Sequence, residues 1–415
     1  MLKIFDEYKG LRKEAYLLLI GRMVSTMGSL VFSLLALILK NKLGYSSSAV
    51  ANVLLLTTFI YIPGTMIAGK LCDHFNKRNL ILIFSAISSV CYIICGVLPM
   101  TEVNIAFYIA ASLFSMMQWP CYDTLYADLS KTADRDKVYS LNYLSANLGA
   151  VMAPIIGGFL FENQLNISFF VTAGSAIISS LIIFWKVRDI HKEVDENSHL
   201  DEYQQEVSGQ NSILQIFKER KLLFFYFFCF VTASMVYSQF MFLLPLNLEQ
   251  LYQDKGAAFF GNLLSFNSAI VVFGTPLLTA LFRKKADTEK MVFGKTLISL
   301  ALFSFIFIQG KFPLYFVAIF VFTIGEILST LGEKPYLSKR IPVSFRGRII
   351  SLAMISAQIG EGLFHKVMGV LLDHYSAIFC WWIIAGIGLV IIIAHTILNI
   401  WDKKLYPALR ENQSL

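Results

Sequence analysis

Charged residues are scarce in this chain of 415 residues, of which 15% are charged and 56% are hydrophobic. An average soluble domain has about 25% charged residues and about 45–50% apolar residues even when glycine is counted. This scarcity argues against a soluble enzyme, because a soluble chain of this length would expose charged surfaces on two or three domains. The composition is instead typical of a protein that lies in a lipid bilayer.

Residue patterns that mark catalytic or metal centres are also absent. The six cysteines have neither metal-ligand nor paired-loop spacing, which predicts buried, small apolar side chains. The sequence has no GxxxxGKS/T phosphate loop, no GxSxG nucleophile turn, and no His/Cys or His/Glu cluster with metal-enzyme spacing. We therefore predict that the chain is not an enzyme and holds no cofactor or metal ion.

A concentrated basic surface is missing as well. The formal net charge is +7, but the basic residues are divided among many short loops, which excludes a nucleic-acid-binding face. The apolar run 15–39 is too long for the core of a signal peptide, so we expect no cleavage there.

Long apolar runs are what the sequence does contain. A helix needs about 20 residues to cross the bilayer, and these runs are about twice as long as the strands of a membrane barrel. The chain is therefore predicted to be an all-α integral membrane protein with twelve transmembrane helices. The predicted spans are 15–39, 47–69, 79–99, 104–127, 139–160, 167–187, 221–247, 258–282, 291–309, 313–335, 349–372 and 377–400.

The basic residues predict the orientation. If both termini are cytoplasmic, the cytoplasmic segments hold 28 of the 35 Lys and Arg residues. Cytoplasmic loops of membrane proteins carry such an excess. We predict a multi-pass protein of the cell membrane, which would be a bacterial inner membrane or a plasma membrane.

An internal repeat predicts two halves. Arg135, Ser145 and Gly149 recur at an offset of 211 residues as Arg346, Ser356 and Gly360, with further matches between them. The longest polar segment between two predicted spans lies between spans six and seven. We predict two pseudo-symmetric six-helix bundles, a transporter architecture with a site between parallel halves. The predicted parts are a bundle at 1–187, a cytoplasmic linker at 188–220, a bundle at 221–400 and a tail at 401–415.

The loop after span two carries a Gly, an Asp and a basic pair, namely Gly69, Asp73, Lys77 and Arg78. This loop resembles the signature of the major facilitator superfamily, although His74 and Asn76 stand where Arg and Gly are usual. The resemblance implies that Asp73 contacts span eleven and that Asp128, at the inner end of span four, joins this contact as a latch. An ordinary charged loop is the alternative interpretation.

Span five contains a Gly, a Pro and a Gly pair, which are Gly149, Pro154, Gly157 and Gly158. The segment resembles the antiporter motif of the same superfamily, with Ala153 where Gly is usual. Small residues permit close helix contact and Pro bends a helix, so a role in packing alone is the alternative to a role in coupling.

Ionisable residues inside the spans are the candidates for function, because such groups are costly in hydrocarbon. In the first half, Arg22 and Asp123 lie at similar predicted depth, which favours an ion pair between them. The pair is either structural, or it opens when Asp123 is protonated or when an anionic substrate competes.

The second half contributes Glu326 on span ten, with Glu361 and His365 on span eleven. Glu326 is the first candidate for a proton-carrying carboxylate. Glu361 and His365 are four residues apart on one helix face and are candidates for a proton relay. The alternatives are that these groups satisfy one another structurally, or that the carboxylates bind a cation.

The predicted function is that of a secondary transporter resembling the twelve-span drug:proton antiporter branch of the superfamily. It would export an amphipathic organic compound as a monomer, with protons as the coupling ion. A proton symporter or uniporter that imports a small metabolite is the alternative, and a membrane receptor or sensor is a third. The candidate groups for the substrate cavity are Arg22, Gln118, Trp119, Tyr122, Tyr237 and Gln239.

Overall fold

Twelve long helical segments fill the described ranges of the computed structural model, which are residues 11–129, 135–186, 213–341 and 343–407. Each predicted span overlaps one of these helices, although α1 covers only the first part of span one, and the seventh helix is divided into two parts. The helices are α1 Lys13–Met27, α2 Ser47–His74, α3 Lys77–Val97, α4 Glu102–Leu129, α5 Arg135–Leu160, α6 Leu165–Lys186, α7a Lys221–Tyr237, α7b Gln239–Tyr252, α8 Gly256–Leu281, α9 Asp287–Ser304, α10 Phe312–Arg340, α11 Val343–His374 and α12 Ala377–Leu405.

Among the described residues, seven helical stretches are long and apolar enough to cross a membrane, and one of them, Lys221–Leu281, covers the seventh and eighth predicted spans. The predicted spans outside these seven stretches lie on α4, α5, α9 and α11, and several of them carry charged or amide side chains. Large apolar side chains on the surface support a lipid environment, since a water-soluble surface rarely exposes so many. Phe159, Phe273 and Trp185 are 80%, 75% and 71% exposed.

The first predicted span is not one continuous helix. α1 ends at Met27, and short 3₁₀, α and π turns continue the chain to Lys42. Gly28 marks the break, and the Ser175 side chain on α6 occupies the place where a Cβ of Gly28 would lie. The close approach of α6 therefore coincides with the interruption.

The chain forms two compact units. Unit 1 takes its described residues from Met1–Tyr45, Leu56–Asn197 and Leu248–Ala269, and unit 2 takes them from Ser46–Leu55, Ser198–Asn247 and Ile270–Leu415. α2 and α8 thus contribute to both units. Most of the predicted linker at 188–220 lies outside the described residues, and its described part contains a short helix, Ile213–Glu219. The domain boundaries given above remain predictions.

Each unit has its own apolar core. In unit 1, α1 packs on α5 and α6, and Ile81, Cys121 and Tyr126 are fully buried in the cluster formed with α3 and α4. In unit 2, α9 packs on α10 and α12, and the rings of Tyr226 and Tyr336 stack with their centroids 4.6 Å apart. These cores fix the helices that carry the candidate site residues.

Candidate functional site

The break in the seventh helix organises the candidate site of unit 2. α7a ends at Tyr237, Ser238 forms a turn, and α7b begins at Gln239. Ser238 Oγ donates to the Met235 carbonyl at 2.9 Å, and Gln239 Nε2 donates to the same oxygen at 3.1 Å. Side chains thus satisfy a carbonyl at the end of α7a. Interrupted helices of this kind hold substrate and ion sites in several transporter folds.

Glu326 meets this break from α10. Tyr237 Oη donates a hydrogen bond to Glu326 Oε1 at 2.9 Å. The Tyr237 ring stacks on Phe322, one turn before Glu326, with centroids 5.4 Å apart and an angle of 19° between the planes. α10 therefore holds both the ring and the hydroxyl of Tyr237, and the predicted cavity residue Tyr237 lies directly on the predicted proton carrier.

His365 meets the break from α11. Its Nε2 lies 3.0 Å from Ser238 Oγ, and its ring stacks on Phe242 at 4.7 Å. A serine hydroxyl has one proton, and Ser238 gives that proton to the Met235 carbonyl. In this hydrogen-bond arrangement, His365 Nε2 carries a proton and is the donor to Ser238.

Glu361 lies one turn before His365 and is half-buried. The neighbouring Gly360 lies against Val231 and Met235 of α7a. Within the described ranges Glu361 has no hydrogen bond or ion pair. Gln239 is fully buried, and its Oε1 has no hydrogen-bond partner among the described residues. The site thus combines two carboxylates with an unsatisfied buried amide oxygen.

Arg22 is the centre of the candidate site of unit 1. Its guanidinium lies 4.8 Å from the ring centroid of Trp119 and 5.1 Å from that of Tyr122, both on α4. The contacts described for Arg22 are with these rings, and its predicted ion pair with Asp123 stays a prediction. Asp123 is exposed, and the buried Nε of Arg22 has no described acceptor.

The remaining cavity candidate of unit 1, Gln118, is 8% exposed and donates to the Phe114 carbonyl at 3.4 Å within its own helix. The partly exposed face of this site is therefore aromatic. Trp119 is 52% exposed, whereas Tyr122 is 2% exposed and lies beneath the guanidinium. A cation held over aromatic rings is stabilised by their quadrupoles and can also accept an anionic partner.

The side chains of Asp73 at the end of α2 and Asp128 at the end of α4 lie outside the described residues, so their predicted latch with span eleven stays a prediction. Arg78 donates to the carbonyls of Ile183 and Phe184 at the end of α6, which places a cation at a helix C-terminus. Asn76 Oδ1 accepts from the Asn79 amide at 3.1 Å and caps α3. The departure from Gly at position 76 thus supplies a helix cap.

The span-five motif lies in close helix contacts within unit 1. A Cβ at Gly149 would lie 2.8 Å from the Met23 carbonyl of α1, and one at Gly158 would lie 2.7 Å from the Ala257 carbonyl of α8. The Leu30 carbonyl fills the equivalent place at Gly157, and the Pro154 carbonyl fills that of Gly261 on α8. Packing is therefore a direct property of this motif.

These contacts predict that Gly158→Ala will lower the thermal stability of the protein. The added methyl group meets backbone atoms that cannot rotate away, and overpacking of this kind costs about 1–3 kcal/mol. Thermal unfolding of the purified protein in detergent measures the effect. Gly174→Ala on α6 is the matched control, because no described atom lies within 4 Å of its Cβ position. Equal melting temperatures for the two variants would contradict the packing role.

Several residues that hold the helices in register were missed by the sequence reasoning. Asn247 and Gln309 exchange hydrogen bonds at 3.1 Å, and Trp381 Nε1 donates to Asn247 Oδ1 at 2.9 Å. Lys295 Nζ lies 2.6 Å from Glu333 Oε1. Ser238 was missed as well. A lysine within a predicted span, Lys295, already indicated a buried ion pair. Its partner could not be identified because the pairing depends on which sides of α9 and α10 face each other.

Comparison with known proteins agrees with this architecture. The family model for the Major Facilitator Superfamily matches residues 17–365. A relative described as a Na(+), Li(+), K(+)/H(+) antiporter from Planococcus maritimus is 21% identical, covering 80% of this chain and 83% of the relative. Multidrug resistance protein 1 of Bacillus subtilis is 24% identical over 41% of this chain and 42% of its own length.

Solved structures show the same fold. A transporter of the POT family, solved in complex with a thioalcohol-conjugated peptide, superposes with a TM-score of 0.77 at 12% identity and covers 95% of this chain and 96% of that one. The predicted all-α membrane fold is thereby confirmed. The family match over most of the chain shows that this protein belongs to the Major Facilitator Superfamily and is a transporter of small molecules.

Proposed function

We propose that this transporter is an antiporter that exchanges protons for an amphipathic organic compound and exports that compound. The observation that carries the proposal is the hydrogen bond from Tyr237 to Glu326 at the break between α7a and α7b. It places a half-buried carboxylate where a change of its charge acts directly on an interrupted helix.

The coupling step follows from the chemistry of this hydrogen bond. A bond to a carboxylate is about twice as strong as one to a neutral acceptor, so protonation of Glu326 weakens the hold on Tyr237. The next residue, Ser238, contacts His365 on α11. Protonation of Glu326 on α10 is thus transmitted to α11 through Tyr237 and Ser238, two consecutive residues at the break in the seventh helix. Glu361 on α11 is the second carboxylate of this site.

The side chains around Arg22 indicate the class of substrate. Trp119 and Tyr122 offer aromatic faces, and Arg22 offers a charged group with an unsatisfied donor. Aromatic surface combined with one or two placed polar groups suits an amphipathic organic molecule. The name of one relative, a multidrug resistance protein, supports the same substrate class.

A second candidate function is antiport of a monovalent cation against protons. The relative described as a Na(+), Li(+), K(+)/H(+) antiporter supports it. The unsatisfied Gln239 Oε1 and the carboxylates of Glu326 and Glu361 are oxygen ligands of the kind that hard cations prefer. Import of a small metabolite by proton symport or by uniport is the remaining alternative.

We also propose in which membrane the protein lies and on which side its termini are. The excess of Lys and Arg in one set of segments, 28 of 35, supports an orientation with both termini in the cytoplasm, in a bacterial inner membrane or a plasma membrane. The chain is proposed to act as a monomer, since the contacts of each candidate site lie within one copy.

Transport in liposomes under an imposed pH gradient tests the function. We expect vesicles with an acidic lumen to accumulate ethidium, a permanently charged dye that a pH gradient alone does not trap. A protonophore should abolish the accumulation. Sodium, lithium and potassium chlorides, tested by the alkalinisation of a trapped pH dye, examine the second candidate in the same vesicles.

The sign of the gradient separates the alternatives. Accumulation of a metabolite only in vesicles with an alkaline lumen would show symport, and flux that ignores the gradient would show uniport. Either result would overturn the proposed antiport.

A further inference from the structure

The motif after α2 occurs a second time, after α11. Residues 69–76 read GKLCDHFN and residues 369–376 read GVLLDHYS, so Gly, Leu, Asp and His recur at an exact offset of 300 residues. The remaining pairs at the end of the motif are Phe75 with Tyr375 and Asn76 with Ser376. This offset differs from the offset of 211 residues that relates the two halves of the chain. It relates the end of helix two to the end of helix eleven.

The two copies also have the same local structure. α2 ends at His74 and α11 ends at His374, and each is followed by a two-residue turn. The last turn residue then caps the next helix, since Asn76 accepts from the Asn79 amide at 3.1 Å and Ser376 accepts from the Phe379 amide at 3.3 Å. In this transporter fold, an inverted repeat relates helix two to helix five, and the parallel repeat of the halves relates helix five to helix eleven. Helices two and eleven are therefore inverted counterparts, and the two copies of the motif lie at opposite membrane faces.

In the second copy the aspartate is bound to a neighbouring helix. Asp373 Oδ1 accepts from the Ser47 amide at 2.7 Å, and Oδ2 accepts from the Ser48 amide at 2.8 Å. These amides open α2, where the first N–H groups have no partner within the helix and favour an anion. Asp373 therefore holds the first turn of α2 through both of its oxygens.

Gly369 makes this contact geometrically feasible. It lies one turn before Asp373, and a Cβ there would be 2.6 Å from the Ser47 carbonyl and 3.0 Å from the Ala51 side chain. Ser47 is only 1% exposed beneath this contact. The glycine thus lets the backbones approach, and the aspartate joins them.

The carboxylate is ionised in this contact. Partial burial acts to raise the pKa of Asp373, but the hydrogen bonds from Ser48 and Ser47 outweigh it and lower the pKa to about 2. The stabilisation is therefore fully present above the ordinary value of 3.8 and is lost only as the pH falls through about 2.

The glycine of the first copy is in a different situation. Around Gly69, no atom of the described residues lies within 4 Å of the Cβ position. In the sequence repeat, Gly69 and Asp73 occupy the positions of the first copy that Gly369 and Asp373 occupy in the second. One of the two equivalent glycines is covered in this structure, and no atom of the described residues covers the other.

We propose that Asp373 is a gating residue, which clamps the start of α2 to the end of α11 in one state of the transport cycle and releases it in the other. Asp73, at the equivalent position of the first copy, is the proposed inverted counterpart that is engaged in the other state. The two clamps alternate. The proposal rests on alternating access in the proposed transport function, and it is independent of the coupling ion and the substrate.

Hydrogen–deuterium exchange on the full-length protein, without substrate or pH gradient, tests the proposal. The measured quantity is the exchange rate of peptides that span residues 44–55. Asp373→Ala should accelerate exchange at Ser47 and Ser48 by roughly three- to tenfold, which corresponds to loss of a partly exposed, charge-assisted hydrogen-bond pair. Asp373→Asn, which keeps one acceptor, should have a smaller effect, and His374→Ala is the matched control.

The decisive variant is Asp73→Ala, because Asp73 lies at the end of α2, far along the helix from the measured residues 44–55. If the clamps alternate, loss of Asp73 populates the state held by Asp373, so exchange at residues 44–55 slows. Unchanged exchange in this variant would show that Asp373 is a static helix cap and would overturn the proposal, as would unchanged exchange in Asp373→Ala. Failure of proton-coupled transport in the liposome assay would leave these measurements unaffected.

Discussion

Replacing Glu326 by Gln is expected to abolish proton-driven accumulation of substrate, with a loss of about 100-fold or more in the coupled rate, the scale on which a positioned acid–base group acts. Gln has nearly the same shape and keeps an oxygen that accepts from Tyr237 Oη. It cannot take up or release a proton. Substrate binding and gradient-independent exchange should therefore persist, so the defect is confined to coupling.

Parallel uptake and binding assays in liposomes measure this separation. Glu102→Gln is the matched control, because Glu102 is an exposed carboxylate that accepts from Tyr45 Oη at 3.1 Å and lies apart from the α7 break. Tyr237→Phe should lower the rate but preserve coupling. Full coupling in Glu326→Gln would remove Glu326 from the mechanism, and loss of coupling in Glu361→Gln alone would assign the proton to Glu361.

The second large effect is expected on stability, at the ion pair between Arg340 and Asp402. Arg340 Nε and Nη2 donate to the two carboxylate oxygens of Asp402 at 2.8 and 2.9 Å. The residues are 4% and 1% exposed, and they join the ends of α10 and α12. Asp402→Ala leaves a buried guanidinium without its counter-charge, which should cost about 3–5 kcal/mol.

Denaturant unfolding in detergent micelles measures this loss, and Lys403→Ala is the control because Lys403 is the exposed neighbour of Asp402. The double variant Arg340→Met with Asp402→Leu should recover most of the stability, because apolar side chains of similar size often replace a buried pair without penalty. A single variant as stable as the control would show that the pair contributes little.

The helices of this protein could be predicted from the sequence because the bilayer fixes their length and composition. Each predicted span is mostly helical, with breaks in the first and the seventh, because a run of about 20 apolar residues must satisfy its backbone internally in hydrocarbon. The break at Ser238 could not be predicted. Serine is common in such helices, and the contacts at this turn come from Glu326 and His365 on two other helices.

Arg22 shows that the position of a residue along a helix does not determine which neighbours its side chain contacts. Sequence gives the depth of a residue in the membrane, and Arg22 and Asp123 do share a predicted depth. The facing of a helix around its axis depends on packing, and here it brings Trp119 and Tyr122 to the guanidinium. The same limit applies to Lys295 and Glu333, whose pairing required the register between α9 and α10.

Glu326 and His365 were predicted individually, as costly ionisable groups in hydrocarbon. The connection between them was not, because it passes through Ser238, a residue that carries no charge and matches no motif. A sequence pattern identifies the expensive groups of a membrane site, whereas the neutral residues that link them are found only when the helices are in place.

The seam between α5 and the start of α8 has a consequence for reversibility. Carbonyl oxygens of Pro154 and Ala257 lie where side chains of Gly261 and Gly158 would be, so the two backbones touch directly. Contacts between Cα–H groups and carbonyl oxygens are weak, and parting them exposes no charge and changes no rotamer. Such a seam can separate and close again many times at low cost, whereas the buried Arg340–Asp402 pair is suited to a permanent joint.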